Sequence, residues 1–270
     1  VVYDDEDMRR HQEQGQQLLD RMAKYAASAD MTMTTQVRVA ANIANGIRHA
    51  FKEFRASEII IGMHMHKEVS QKFWGAFHQS LFNGLNNQII MARLNQPLTT
   101  IRHIHVAVPS KAQFEPGFYR WLERLDRLAG NMECRMMFHG RPDTLSLINK
   151  YTMQHHPDVK AEYMAMDHWN ELPRLAANIS GDNLFVVVAA RKGTVSYKNA
   201  IEYLPEELTT HFSGTNLIII FPDQHGNAMD EMTFAQPQHT EDRSAYESIG
   251  KWINRMKKSG KSPADGNAEQ

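Results

Sequence analysis

The sequence predicts an α/β protein made of two consecutive doubly wound parallel-sheet units, the first lacking its opening strand and helix. Three observations carry this reading. Short apolar runs of strand length alternate with segments of helical period through the first 222 residues. The alternation is interrupted by the Pro97-containing stretch at residues 94–100, and then restarts. The second half holds five strand-like and four helical segments, whereas the first holds three of each after a stub at Val1-Val2.

The elements follow in order. Residues 7–27 are helical in pattern, and Asp4, Asp5, Glu6 and Asp7 suit a helix start, where the macrodipole favours negative charge. Residues 34–40 alternate through Val37 and Val39 as a strand does, and residues 43–54 return to helical spacing. Ile59-Ile60-Ile61 reads as a short strand buried on both faces. A helix over residues 75–84 and a strand over 88–92 close the first half. In the second half strands are expected at 103–108, 133–139, 159–166, 183–190 and 216–221. The helices between them are expected at 116–129, 143–155, 169–179 and 205–212.

Strand–helix alternation argues for parallel strands joined by right-handed crossovers, with helices on both faces. In a flavodoxin-like (Rossmann-like) sheet of this kind the first strand is central. The first unit is therefore expected to be truncated, and the chain to begin inside a domain of a longer protein. The expected organisation is a first domain at 1–93, a linker at 94–101, a second domain at 102–222 and an extension at 223–270. Within the extension, residues 244–258 form an amphipathic helix with Tyr246, Ile249, Trp252, Ile253 and Met256 on one face. That helix could pack on the body, mediate dimerisation or lie on a membrane through its basic side. The tail at 259–270 has the composition of a disordered segment.

Composition narrows the functional classes. Of 270 residues, 30 are basic and 31 acidic, which gives no basic excess for a nucleic-acid surface. The single cysteine, Cys134, allows no internal disulfide and fits a reducing, cytoplasmic compartment. No apolar run approaches the roughly 20 residues that span a bilayer. There is no Gly-x-Ser-x-Gly elbow, and Cys134 falls within an expected strand, so the chain is not expected to be an enzyme. The pairs His64/His66, His103/His105 and His155/His156 fall short of the three or four protein ligands a zinc site needs, so no metal site is expected.

Ligands of open α/β sheets bind beyond the carboxyl ends of the strands. After Ile59-Ile60-Ile61 the chain reads Gly62-Met63-His64-Met65, nine residues, then Gly75-Ala76-Phe77 opening a helix. Gly62 permits close backbone approach, and Gly75 at a helix start would aim free amides at an anion. Both glycines equally suit turns and packing. The spacing resembles the nucleotide loop of the universal stress protein family, with Met65 in place of its second glycine and Ala76 in place of its hydroxyl residue. After the corresponding strand of the second half, Gly193-Thr194-Val195-Ser196 is similar to the loop's closing element. The family's acidic residue at the end of strand one has no match in Val106-Ala107-Val108-Pro109-Ser110.

The resemblance implies nucleotide contacts at Val39, Gly62, His64, Gly75, Ala76 and Phe77, and at Gly193, Thr194, Val195 and Ser196. It implies no obligatory cofactor, and ATP, AMP or a cyclic dinucleotide as ligand. It implies a homodimer. The stretch from Asp4-Asp5 through Val37-Arg38-Val39 to Trp74-Gly75 looks like the cytosolic tail of a bacterial sodium (cation)/proton antiporter. On that likeness the chain is a non-catalytic regulatory module held at the inner face of the cell membrane by a transmembrane antiporter domain. The alternatives are a free-standing dimeric cytoplasmic stress protein and a ligand-free interaction scaffold.

Overall fold

Strands and helices alternate along the chain much as the period-2 and period-3.6 patterns dictate. The computed structural model describes residues 5–40, 42–63, 81–82 and 85–225. In order these form α1 (Asp5–Ser28), α2 (Ile43–Glu53), β1 (Glu58–Gly62), β2 (Gln88–Arg93) and β3 (His103–Ala107). There follow α3 (Phe118–Met132), β4 (Arg135–Gly140), α4 (Pro142–His155), β5 (Ala161–Ala165), α5 (Leu172–Ala176), β6 (Asn183–Val188), α6 (Leu204–His211) and β7 (Asn216–Phe221). The amphipathic segment 244–258, the tail and most of the helix expected at 75–84 lie outside the described residues.

The chain divides into two compact units, Val1–Ile59 with His64–Asn86, and Ile60–Met63 with Asn87–Gln270. Among the described residues the sheet has seven strands in the order β1-β2-β7-β6-β3-β4-β5. Strands β4, β6 and β5 run parallel to β3 and its neighbours, and β7 runs parallel to β6. The first strand of the second half, β3, is therefore central, as expected. The expectation of a wholly parallel sheet needs one correction. Strand β2 pairs antiparallel with β7, Ile89 opposite Phe221 and Arg93 opposite Leu217. A strand added to the outer edge of β7 needs no crossover helix and can run either way.

One sheet face packs on α3 and α4. Phe118, Trp121, Leu122, Leu125 and Ala129 repeat at helical spacing and are buried against Ile104, Val106, Phe138, Leu184 and Val186. Residues of the opposite parity, among them His105, Met137, His139 and Phe185, face the other way. There Phe185 stacks on Phe212 just after α6, with ring centroids 4.2 Å apart.

Two local expectations are corrected. Residues 34–40 form no strand and pair with none among the described residues. Val37 instead lies where a Cβ on Gly15 of α1 would meet it at 3.5 Å. Residues 169–179 form a 3-10 turn at Trp169–Glu171 and only five residues of α-helix. Pro173 lacks an amide proton and fits only the first helical turn, so the helix starts at Leu172.

Candidate functional site

Strand order reverses between β3 and β6, so their carboxyl ends frame the crevice where a doubly wound sheet holds ligands. Beyond β6 the chain turns at Arg191, whose carbonyl accepts from the Thr194 amide at 3.1 Å and from its hydroxyl at 2.9 Å. Gly193 takes φ +93°, a conformation costly for any residue with a Cβ. The turn delivers Ser196 into the interior. Its amide and its hydroxyl both donate to Glu115 Oε1, at 3.0 and 2.6 Å. Glu115, between β3 and α3, is 2% exposed, and Ser196 is fully buried.

Two arginines and a second carboxylate complete the cluster. Asp223, just past β7, is buried and pairs with Arg120 at 2.8 Å. It also accepts from the His225 amide at 2.6 Å. Burial pulls the Arg191 guanidinium down to about 10, with Asp223 and Glu115 acting against it. Two buried carboxylates thus face two cations, which is the arrangement that makes buried charge tolerable. A phosphate entering here would find the Ser196 donors taken and like charge beside them. The Ser196 hydroxyl is sealed from substrate, and burial pushes the Cys134 thiol up, away from the thiolate form.

The residues expected at the site fall in separate places. Gly193, Thr194, Val195 and Ser196 form the turn just described. Val39 lies in the first unit and lines an open cavity of about 520 Å³ with Arg38, Asn42, Asn45, His49 and Glu53. Arg38 there pairs with Glu53 at 2.6 Å, and the Asn42 side chain caps α2 by accepting from the Asn45 amide. Gly62 ends β1, and a Cβ on it would meet nothing within 4 Å among the described residues. His64, Gly75, Ala76 and Phe77 lie outside the described residues.

A second cavity, about 450 Å³, lies over the other sheet face and is lined by His103, His105, His139, Met137, Met164 and Asp182, among others. His105 and His139 stack with centroids 5.4 Å apart, and Nδ1 of the first lies 3.2 Å from Nε2 of the second. Burial draws both rings down to about 4, and the neighbouring imidazole (His103 for His105, His105 for His139) adds to it. The short α5 leaves this face partly open, and Met164 is 41% exposed. The shared face of His103 and His105 was visible in the sequence. The part played by His139 was not, because it needs the parallel register of β3 and β4.

A third polar cluster joins α3 to α4. Glu123 accepts from Tyr151 at 2.9 Å, from His156 at 2.6 Å and from Arg127 at 2.5 Å. Asp126, fully buried one turn further on, accepts from Thr152. Among the described residues no group of three or more His, Cys, Asp or Glu could hold a metal ion, and no helix is long and apolar enough to cross a membrane.

No family model matches the chain, and no curated protein matches its sequence. Its fold does have solved counterparts. The chain is similar to a universal stress protein from Archaeoglobus fulgidus DSM 4304, at 11% identity and a TM-score of 0.55, over 82% of this chain and 81% of that one. It is also similar to a functionally unknown protein from Pseudomonas aeruginosa PAO1, at 11% identity and a TM-score of 0.51, over 77% and 78% of the two chains. A cytoplasmic domain of a prokaryotic cation chloride cotransporter matches at 11% identity with a TM-score of 0.49, over 78% of this chain and 82% of that one. At such identities the likeness concerns the fold. The expected α/β class holds, with a mostly parallel sheet flanked by helices.

Proposed function

We propose that this chain is a non-catalytic regulatory module of the universal-stress-protein type. Its nucleotide-sensing element is the first-half loop that begins at Gly62, and the carboxyl-end crevice of its second half is a filled scaffold. The observation that carries the division is the double hydrogen bond from Ser196 to Glu115, which satisfies internally the donors a phosphate would use. Among the described residues a Cβ on Gly62 would meet nothing within 4 Å, which supports the first part. In the parent protein the module is the cytosolic tail of a cation/proton antiporter. A nucleotide biases that parent by binding one conformation of the tail better than the other.

Calorimetry with ATP, AMP and cyclic dinucleotides tests the sensing role. Heat is expected with at least one of them, unchanged in Ser196→Ala and lost in Gly62→Trp. Absence of heat with all of them, up to the millimolar range, would refute sensing and leave the ligand-free scaffold, a reading the neutralised Glu115–Arg191–Asp223–Arg120 cluster also favours. The coding sequence upstream tests the tether: repeated apolar segments of roughly 20 residues are expected there.

A further inference from the structure

The cavity over β3, β4 and β5 is independent of the nucleotide reading, and one amide sets its chemistry. Asn183 satisfies its neighbours with its side-chain oxygen toward the Ser180 amide at 3.3 Å and its nitrogen toward Asp182 Oδ1 at 3.2 Å. That oxygen lies 3.4 Å from His105 Nε2, so Nε2 carries the proton. A neutral ring with a proton on Nε2 keeps a lone pair on Nδ1. His139 Nε2, 3.2 Å away, must donate to it. His139 Nδ1 is then a bare acceptor on a ring that is 5% exposed. No group among the described residues hydrogen-bonds this atom, and it keeps contact with solvent. His139 is among the residues that line the cavity.

The other linings define what would fit. Met137, Met164 and Leu175 supply apolar wall, and the Asp182 carboxylate adds a second acceptor. An anion would face the Asp182 carboxylate and the lone pair of His139 Nδ1. A cation would lose hydration beside the neutral His105 and His139 rings, while Asp182 is already engaged by Ser180 and lies 3.9 Å from Arg102. The volume lies in the lower part of the range of about 300–1,000 Å³ usual for small-molecule sites.

We propose that this cavity binds a small, uncharged, flat heteroaromatic molecule that donates an N–H to His139 Nδ1. The low proton affinity of the buried pair supports this, since it keeps the acceptor bare at neutral pH. The probe is indole, with 1-methylindole as the analogue that lacks the donor. Both are titrated into the whole chain at neutral pH while the histidine ring nitrogens are followed by NMR. The expected result is saturable binding of indole that moves the His139 nitrogens, and roughly 5- to 100-fold weaker binding of 1-methylindole, the usual cost of an unpaired buried acceptor. Met164→Trp, at the partly exposed strand position registered beside His139, fills the cavity from the β5 side and should abolish binding of both. Equal affinity for the two probes, unmoved His139 resonances, or undiminished binding in Met164→Trp would overturn the proposal.

Discussion

Gly117 and Asp223 lie backbone against backbone. The Gly117 amide donates to the Asp223 carbonyl at 2.9 Å, and a Cβ on Gly117 would come within 2.4 Å of the Asp223 nitrogen. This contact brings the end of β7 to the start of α3, where Asp223 meets Arg120. Gly117→Ala must push that strand end away and should destabilise the fold by about 2 kcal/mol or more. Gly130 offers the contrast. It lies inside α3, and its Cβ would meet only Val159 Cγ2, at 3.8 Å. Gly130→Ala should stabilise by about 0.5–1 kcal/mol through helix propensity. Urea denaturation of the two variants checks both signs.

The buried Glu115–Ser196 contact can be cut from either side, and the two losses differ. Ser196→Ala keeps the amide donor on the carboxylate and should cost about 1–2 kcal/mol. Glu115→Ala strands both Ser196 donors and deprives Arg191 of part of its compensation, so about 3–5 kcal/mol is expected. Chemical denaturation at fixed pH should give that order. Equal costs would mean that the carboxylate's charge contributes nothing.

Asp126 makes stability depend on pH near neutrality. Burial pushes its carboxyl up to about 7, and the nearby Glu123 adds to this. The Thr152 hydroxyl and His156 act in the opposite direction. Between about pH 4 and 7 the folded state keeps a proton that the unfolded chain has lost. Stability from this group therefore falls as pH rises through that window and stays low above it. Asp126→Asn removes the effect. The variant should exceed the parent by up to about 4 kcal/mol at pH 8, from roughly three pKa units at about 1.4 kcal/mol each, and match it near pH 4.

The His105–His139 pair acts with the opposite sign. Both rings are held down to about 4, so between that value and about 6.5 the unfolded chain binds more protons. Stability from the pair is full above about pH 6.5 and declines as pH falls toward 4. His139→Gln keeps a donor near the place of Nε2 and titrates no proton. Thermal denaturation from pH 4 to 7 should show a shallower acid decline in this variant than in the parent.

Much of the architecture was legible in the residues alone. Asn216–Phe221 and Asn183–Val188 are apolar runs of strand length, and Phe118–Met132 repeats its large apolar residues at helical spacing. Such patterns are local, because each residue's burial follows from its neighbours along the chain. The periodicity at 34–40 is equally local, but a strand also needs a partner, and none stands beside it among the described residues. The antiparallel union of β2 with β7 depended on which edge lay open, a property of the assembled sheet. The site was less legible than the fold. Ser196 stood out by its motif, while Glu115, 81 residues away, carried no signal. His105 and His139 are 34 residues apart and meet only through the register of β3 and β4. The sequence by itself determined the alternation of elements, their buried faces and the α/β class. Strand direction at the sheet edge, the buried Glu115–Ser196 contact and the imidazole pair were decided by tertiary structure, because charge and hydrogen bonding act between groups that only folding brings within a few ångströms.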